Sequence, residues 1–391
     1  MTFAARVSHL APEGAYEVLA KAQALEAQGR DIIHLEIGQP DVPTFDNIAE
    51  AGRRAIKEGR TRYNPPSGVD SLREIIAEDA GQRRGIDIKA SEVVVTPGAK
   101  PMLFFPTMAL VEPGDEVIYP DPGFPTYAAM IGVAGGVPVP VRLREETGFA
   151  FDLGVFDDAV SDRTRLIILN SPGNPTGGVL SRDVLRHIAE AARRHDAWVL
   201  SDEIYLRLTF DRASAPSIAE LPEMRDRTII CDGFSKTYAM TGWRLGYGIM
   251  PEPLAERIGL LLTHSVGCTA TFTQHAGVEA LSGPQEQVDA VVAEYERRRD
   301  ALVSGLNGIP GVQCQEPQGA FYTFPNITAY GRSSDWIADY LLTEAGVAVL
   351  PGTAFGQGGE GYLRLCFANS MERILAALER LEAALGSLEQ G

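Results

Sequence analysis

One lysine stands alone in "DGFSKTYAMTGWRLGY", the stretch from Asp232 to Tyr247. Lys236 has no carboxylate beside it after Asp232 and no second cation before Arg244. Lysines on solvated faces usually keep charged neighbours, whereas this one sits among glycine, serine, threonine and aromatic residues. An amine that attacks a carbonyl must spend time neutral, and a free lysine holds its proton to a pH of about 10.4. Fixed positive charge and little water lower that value and make the amine nucleophilic.

Four other stretches have chemistry to offer. "VTPGAK", ending at Lys100, closes an apolar run with Pro-Gly just before a helical pattern, so its amides can face an anion at a helix N-terminus. "NSPGNPTG" (Asn170–Gly177) ends a run in a turn that displays Asn174, and "SDEIY" (Ser201–Tyr205) offers Asp202 and Tyr205. "YLRLCFA" carries Arg364 inside an apolar run, where an unpaired arginine is costly unless it has a ligand or a structural ion pair. Three of the four stretches lie at strand C-terminal ends, where open α/β sheets bind ligands.

Other motifs fail on context. "GQGGEG" (Gly356–Gly361) spells a dinucleotide fingerprint, but the segment after it, "YLRLCFA", reads as a strand and not a helix, so a loop is expected. "SKT" lacks the glycine spacing of a phosphate-binding P-loop, and neither H-E-x-x-H nor G-x-S-x-G occurs.

"NPTG", "SDEIY" and "SKTYAMTGWRLGY", in this order and spacing, closely resemble the fold-type I pyridoxal-phosphate aminotransferases of class I/II, the branch that contains bacterial and archaeal aspartate aminotransferases. The resemblance runs from "IGQPD" near the start to "RLCFA" near the end. It implies pyridoxal 5'-phosphate as cofactor and Lys236 as the lysine that binds its aldehyde as a Schiff base. Arg244 then matches the arginine that forks onto the phosphate, helped by the Ser235 hydroxyl and an amide cup at Gly98, Ala99 and Lys100. Asp202 matches the aspartate paired with the protonated pyridine nitrogen, with a helix N-cap as its bland alternative. Tyr205 and Asn174 match the residues that bond the ring's phenolic oxygen. Phe124, in "DPGFPTY", falls where the family stacks an aromatic ring, although a core phenylalanine would look the same. Arg364 matches the arginine for the substrate α-carboxylate, and Gly38, in "IGQPD", matches a position lining the substrate pocket. Tyr63, in "TRYNPPSG", resembles a tyrosine that reaches the phosphate of the neighbouring subunit, which implies a homodimer with shared sites.

The implied reaction is a ping-pong transfer from an L-amino acid, aspartate or glutamate as first guess, to a 2-oxo acid. The shared motifs also fit a β-lyase, decarboxylase or oxidase on the same fold, and a ligand-sensing module is a more distant alternative. "HSVGCTATF" (His264–Phe272) and the region of Tyr16 are the expected neighbours of the substrate side chain, and neither shows a basic clamp.

These residues need a frame. Seven apolar, β-branched runs ("EVVVTPG", "DEVIYP", "VPVPVRL", "RLIILNSP", "AWVLSDEIY", "RTIICDGFS", "RLGYGIM") alternate with helical patterns such as 70–84, 182–195 and 252–263. That alternation predicts an α/β fold: a large cofactor-binding domain over 46–285 with a mostly parallel seven-stranded sheet between helices. A smaller α+β domain is expected over 286–391, with helices over 285–306 and 371–385, and the segment 1–45 is expected to pack with it.

The chain of 391 residues carries 35 basic and 52 acidic side chains, a net charge of −17. Nucleic acid and anionic membrane are therefore poor partners, and any anion site must be a local basic pocket. Cys231, Cys268, Cys314 and Cys366 have no metal spacing and read as reduced thiols of a cytoplasmic protein. His9, Glu13 and Glu17 interrupt the N-terminal apolar residues, so neither a secretory leader nor a membrane span is expected.

Overall fold

The computed structural model describes residues 3–8, 10–211 and 215–388; His9 lies outside them. The strands in chain order are β1 (Ile33–His34), β2 (Val93–Thr96), β3 (Glu116–Asp121), β4 (Val137–Arg144), β5 (Ala150–Phe151), β6 (Thr164–Asn170), β7 (Trp198–Asp202), β8 (Thr228–Gly233), β9 (Gly246–Ile249), β10 (Tyr322–Thr323), β11 (Val347–Ala348), β12 (Leu350–Pro351) and β13 (Leu363–Cys366). Strands β2 to β9 form one sheet in the order β2-β9-β8-β7-β6-β3-β4-β5. Neighbours from β4 to β8 run parallel, while β9 and β5 are antiparallel to their partners. All seven expected runs join this sheet. It has eight strands and not seven, because β5 adds two residues beside Leu143 and Arg144 of β4. Two residues are too few to show any periodicity in sequence.

Helices cover both faces because the central strands are buried on both sides. β2, β7, β8 and β9 consist almost entirely of buried residues, as crossover connections require. The helix Arg182–Arg194 shows the local logic. The Ser181 hydroxyl accepts from the Val184 amide and satisfies an N-terminal donor, while Leu185, Ile188, Ala189 and Ala192 bury one face.

The later part of the chain has its own core, in which Tyr295, Leu302, Phe321, Phe367 and Leu381 are buried together. Its long helices are Glu286–Gly308 and Met371–Leu388, and β10, β13 and β12 form a small antiparallel sheet. β1, from near the N-terminus, pairs in parallel with β11, Ile33 against Val347 and His34 against Ala348. Gly356–Gly361 folds as a loop with a 3-10 turn ahead of β13. Among the described residues no helix is long and apolar enough to cross a membrane.

Candidate active site

The parallel strands deliver the polar residues together. Asn170 at the end of β6 is in register with Asp202 at the end of β7. The Asn170 amide donates to the Asp202 carbonyl at 3.0 Å, and its Oδ1 accepts from the Asn174 backbone at 2.7 Å, which pins the "NSPGNPTG" turn. These ends face a cavity of 1660 Å³. Gly38, Ala99, Lys100, Phe124, Asn174, Asp202, Tyr205, Ser235, Lys236, Arg244 and Arg364 all stand on its wall. Gly98 lies just behind Arg244. Tyr63 does not line the cavity and is 98% exposed.

Lys236 is held inside. Its Nζ donates to the Gly38 carbonyl at 2.6 Å and lies 5.6 Å from the Phe321 ring centre. Burial pulls its pKa down to about 8; Cys366 opposes this, and the charges of Arg364, Arg244 and Lys100 act in the same direction as burial. Asp202 is pushed the other way. Burial raises it to about 6, with Asp232 and Glu203 adding to the rise, while Tyr127 and the Ile204 amide resist it. The Tyr127 hydroxyl donates to Asp202 Oδ2 at 2.8 Å, and the Ile204 amide donates to Oδ1 at 3.3 Å. Tyr127 ends the "DPGFPTY" stretch, from which the sequence reading takes only Phe124. Its signal was its place three residues on, at the start of the helix Thr126–Ala134.

Arg364 is fixed at two points. Nη1 donates to Asn174 Oδ1 at 3.2 Å and Nη2 donates to the Glu36 carbonyl. The rings of Tyr322 and Phe355 lie 4.4 and 4.9 Å from the guanidinium carbon, and the buried Nε has no partner among the described residues. It makes no ion pair among those residues, so the structural ion pair weighed for this arginine has no partner there. A buried cation left with donors to spare is suited to a carboxylate.

The other pole is cationic as well. The Thr96 hydroxyl donates to the Gly98 carbonyl at 2.8 Å, Gly98 adopts φ +86, and the helix Lys100–Leu110 starts two residues later. A Cβ on Gly98 would lie 2.3 Å from Arg244 Nη2, so only glycine lets the loop approach the guanidinium. Arg244 Nη1 donates to the Thr241 carbonyl at 2.8 Å, and Ser235 is buried close by in sequence to Lys236. The Lys100 side chain pairs with Glu13 and lies 5.1 Å from the Phe124 ring centre, so it contributes a cation to the wall and not only an amide. Lys100 was expected for its amide and not for its ammonium, and Tyr127 and Tyr322 were not among the expected site residues.

The donor set fits pyridoxal phosphate: helix N-terminal amides and a guanidinium for a phosphate, a buried carboxylate for a protonated ring nitrogen, and an amine of lowered pKa for an aldehyde. The fit rests on the Gly98–Arg244 cradle and on two buried groups, Lys236 and the Arg364 Nε, that have no counter-charge among the described residues.

Comparison with known proteins agrees. The family model described as Aminotransferase class I and II matches residues 30–381. A probable aspartate/prephenate aminotransferase of Aquifex aeolicus is 42% identical over 388 residues, 98% of either chain. An aspartate aminotransferase of Pyrococcus horikoshii is 41% identical over 372 residues, 94% of this chain and 93% of its own. The solved aspartate aminotransferase of Thermus thermophilus with maleate superposes with a TM-score of 0.93 at 37% identity, covering 98% of this chain and all of that one. Sequence, site and superposition converge: the chain belongs to the class I and II aminotransferases, pyridoxal-phosphate-dependent enzymes that move an amino group from an amino acid to a 2-oxo acid.

Proposed function

We propose that this enzyme uses dicarboxylic amino donors, aspartate or glutamate, in a ping-pong exchange with 2-oxo acids. The observation that carries the reading is the cation pattern of one cavity: Arg364 for an α-carboxylate, Lys236 at the reacting carbon, and Lys100 on the wall, whose ammonium a second carboxylate would take over from Glu13. Relatives named aspartate aminotransferase, and the Thermus structure with the dicarboxylate maleate, support it. The relatives named above are aminotransferases, which does not favour the lyase, decarboxylase and oxidase outcomes.

The residues divide the work. Arg244, Ser235 and the amides of Gly98, Ala99 and Lys100 would hold the phosphate; Phe124 would stack on the ring. Asp202, kept in place by Tyr127, would hold the ring nitrogen protonated, and Tyr205 and Asn174 would bond the phenolic oxygen. When bound, the cofactor supplies an aldehyde that condenses with amines and a ring that accepts electrons from the bond broken at Cα. With a pKa of about 8, roughly a tenth of Lys236 is neutral at pH 7, enough to condense and exchange. Lys236 Nζ would take the Cα proton as general base and, as general acid, return it to the cofactor's aldehyde carbon. Arg364 fixes the α-carboxylate so that the Cα–H bond faces the lysine, and Gly38 leaves room beside it.

The same reading makes the enzyme a cytoplasmic homodimer, with Tyr63 reaching the partner's phosphate site. The wall of the cavity includes Tyr16, Ile56 and Val266, which are 63%, 51% and 47% exposed. A volume of 1660 Å³ also exceeds the roughly 300–1,000 Å³ of ordinary ligand pockets, as expected where a second chain completes the wall. It further divides the chain into a large unit over 46–285 and a small one over 286–391 joined by 1–45, in keeping with the β1–β11 pairing.

A screen of twenty amino acids against 2-oxoglutarate and pyruvate tests the substrate assignment. Aspartate or glutamate should lead, and Lys100→Ala should raise their KM about fivefold to tenfold while leaving aromatic donors unchanged, since a half-exposed ion pair contributes on the order of 1 kcal/mol. Aromatic or aliphatic donors leading in the wild type would overturn it.

A further inference from the structure

Tyr322 stands where the carboxylate and ring ends of the site meet. Its hydroxyl is 2.8 Å from that of Tyr205, and its ring lies 4.4 Å from the Arg364 guanidinium carbon. Both tyrosines are buried, yet both form part of the cavity wall. Burial pushes both phenols up, Tyr322 to about 12 and Tyr205 well above its usual range, so both keep their protons at neutral pH.

Two hydroxyls joined by one hydrogen bond have two protons between them. One serves the bond and the other remains to be given elsewhere. Among the described residues the pair has no further hydrogen-bond partner, so that proton belongs to the cavity. Which hydroxyl gives it depends on what the cavity holds. Gly38 is what makes room for the arrangement: a Cβ there would lie 2.0 Å from the Tyr322 hydroxyl oxygen. The same glycine's carbonyl holds Lys236, so the pair sits within one residue of the reacting amine.

We propose that Tyr322 is a positioning residue that donates its proton to Tyr205 and so commits the Tyr205 proton to the phenolic oxygen of the cofactor ring. The proposal rests on the reading of Tyr205 given above. A phenol that accepts a hydrogen bond is a stronger donor in turn. Stronger donation stabilises negative charge on the ring oxygen, which makes the nitrogen conjugated with it less basic. Tyr322 thus acts on proton affinity at the reacting centre without touching the reacting atoms.

The test uses the enzyme loaded with pyridoxal phosphate and no substrate, and reads visible absorbance against pH. Tyr322→Phe keeps the ring against Arg364 and should raise the midpoint by about half a pH unit. Tyr205→Phe should raise it further, and the double variant should match Tyr205→Phe alone. Tyr322→Met removes the hydroxyl in a different shape and should give the same direction, so the result does not hang on one variant folding. An unmoved midpoint in both Tyr322 variants, with Tyr205→Phe shifted, overturns the relay and leaves Tyr205 where it was assigned. An unmoved midpoint in Tyr205→Phe overturns that assignment and the relay with it. A Tyr322 shift that persists in full on the Tyr205→Phe background also overturns the relay, because the hydroxyl would then act on the ring directly.

Discussion

The buried charges of this site are arranged against their own solvation. Lys236 loses affinity for its proton and Asp202 gains it, each because burial penalises the charged form. A protonated ring nitrogen beside Asp202 would reverse the second effect and hold the carboxylate ionised. Asp202→Asn keeps the shape but cannot supply that charge. Single-turnover formation of the amine form of the cofactor should then slow on the order of 10³-fold. A rate within tenfold of wild type would give Asp202 another role. Lys236 and Arg364 drew attention in the sequence because a lysine or an arginine in apolar company must be explained, whereas Asp202, between Ser201 and Glu203, was pointed to by the resemblance of "SDEIY". Tyr127 and Tyr322 were not legible there. A tyrosine in an apolar run looks like core until its hydroxyl partner is known, and the partners Asp202 and Tyr205 lie 75 and 117 residues away.

Elements were legible wherever period and length agreed. The helices Asp70–Arg84 and Glu252–Thr263 end where their sequence patterns end, and all seven long runs became strands. The two-residue strands β1, β5, β10, β11 and β12 are set by tertiary pairing and carry no period of their own. β1 shows what such a short element can carry. The chain just beyond it supplies the Glu36 carbonyl to Arg364 and the Gly38 carbonyl to Lys236. His34 in β1 is wedged between Glu36, at 2.7 Å from Nδ1, and Glu26, at 3.1 Å from Nε2. Burial disfavours the imidazolium, but the hydrogen bonds and charges of Glu36 and Glu26 outweigh it, and the His34 pKa is raised. Its contribution to stability is therefore complete below the unfolded value of about 6.5 and is lost as pH rises through the raised folded value. Between pH 6 and 8 the wild-type melting temperature should fall more than that of His34→Asn. The difference should correspond to no more than about 1 kcal/mol, because the ring is only partly buried. Parallel curves for the two proteins would show that the pair adds nothing.

At the scale of the whole molecule, an acidic chain must gather cations around one cavity and then close it. The net charge of −17 opposes association of two copies, so the contact of the proposed homodimer would have to offset that repulsion with apolar burial. Exposed Ile56 and Val266 on the cavity wall are among the apolar side chains that could serve it, and Tyr63, 98% exposed, does not line its own chain's cavity. If Tyr63 serves the partner's phosphate site, two defective chains can repair each other. Tyr63→Ala alone should bind pyridoxal phosphate about tenfold more weakly, as expected for one hydrogen bond to a charged group. Lys236→Ala alone should bind the cofactor without turning over. In a mixed dimer, the site that keeps Lys236 receives an intact Tyr63 from the Lys236→Ala chain, while the other site lacks both. Unfolding and refolding the two variants together, at limiting cofactor, should therefore restore activity above the sum of the separate preparations, towards one good site per mixed dimer. Activity equal to that sum, with dimers present by sedimentation, would place Tyr63 outside the shared site. Monomers alone, at concentrations where the wild type is active, would remove the dimer from the reading altogether.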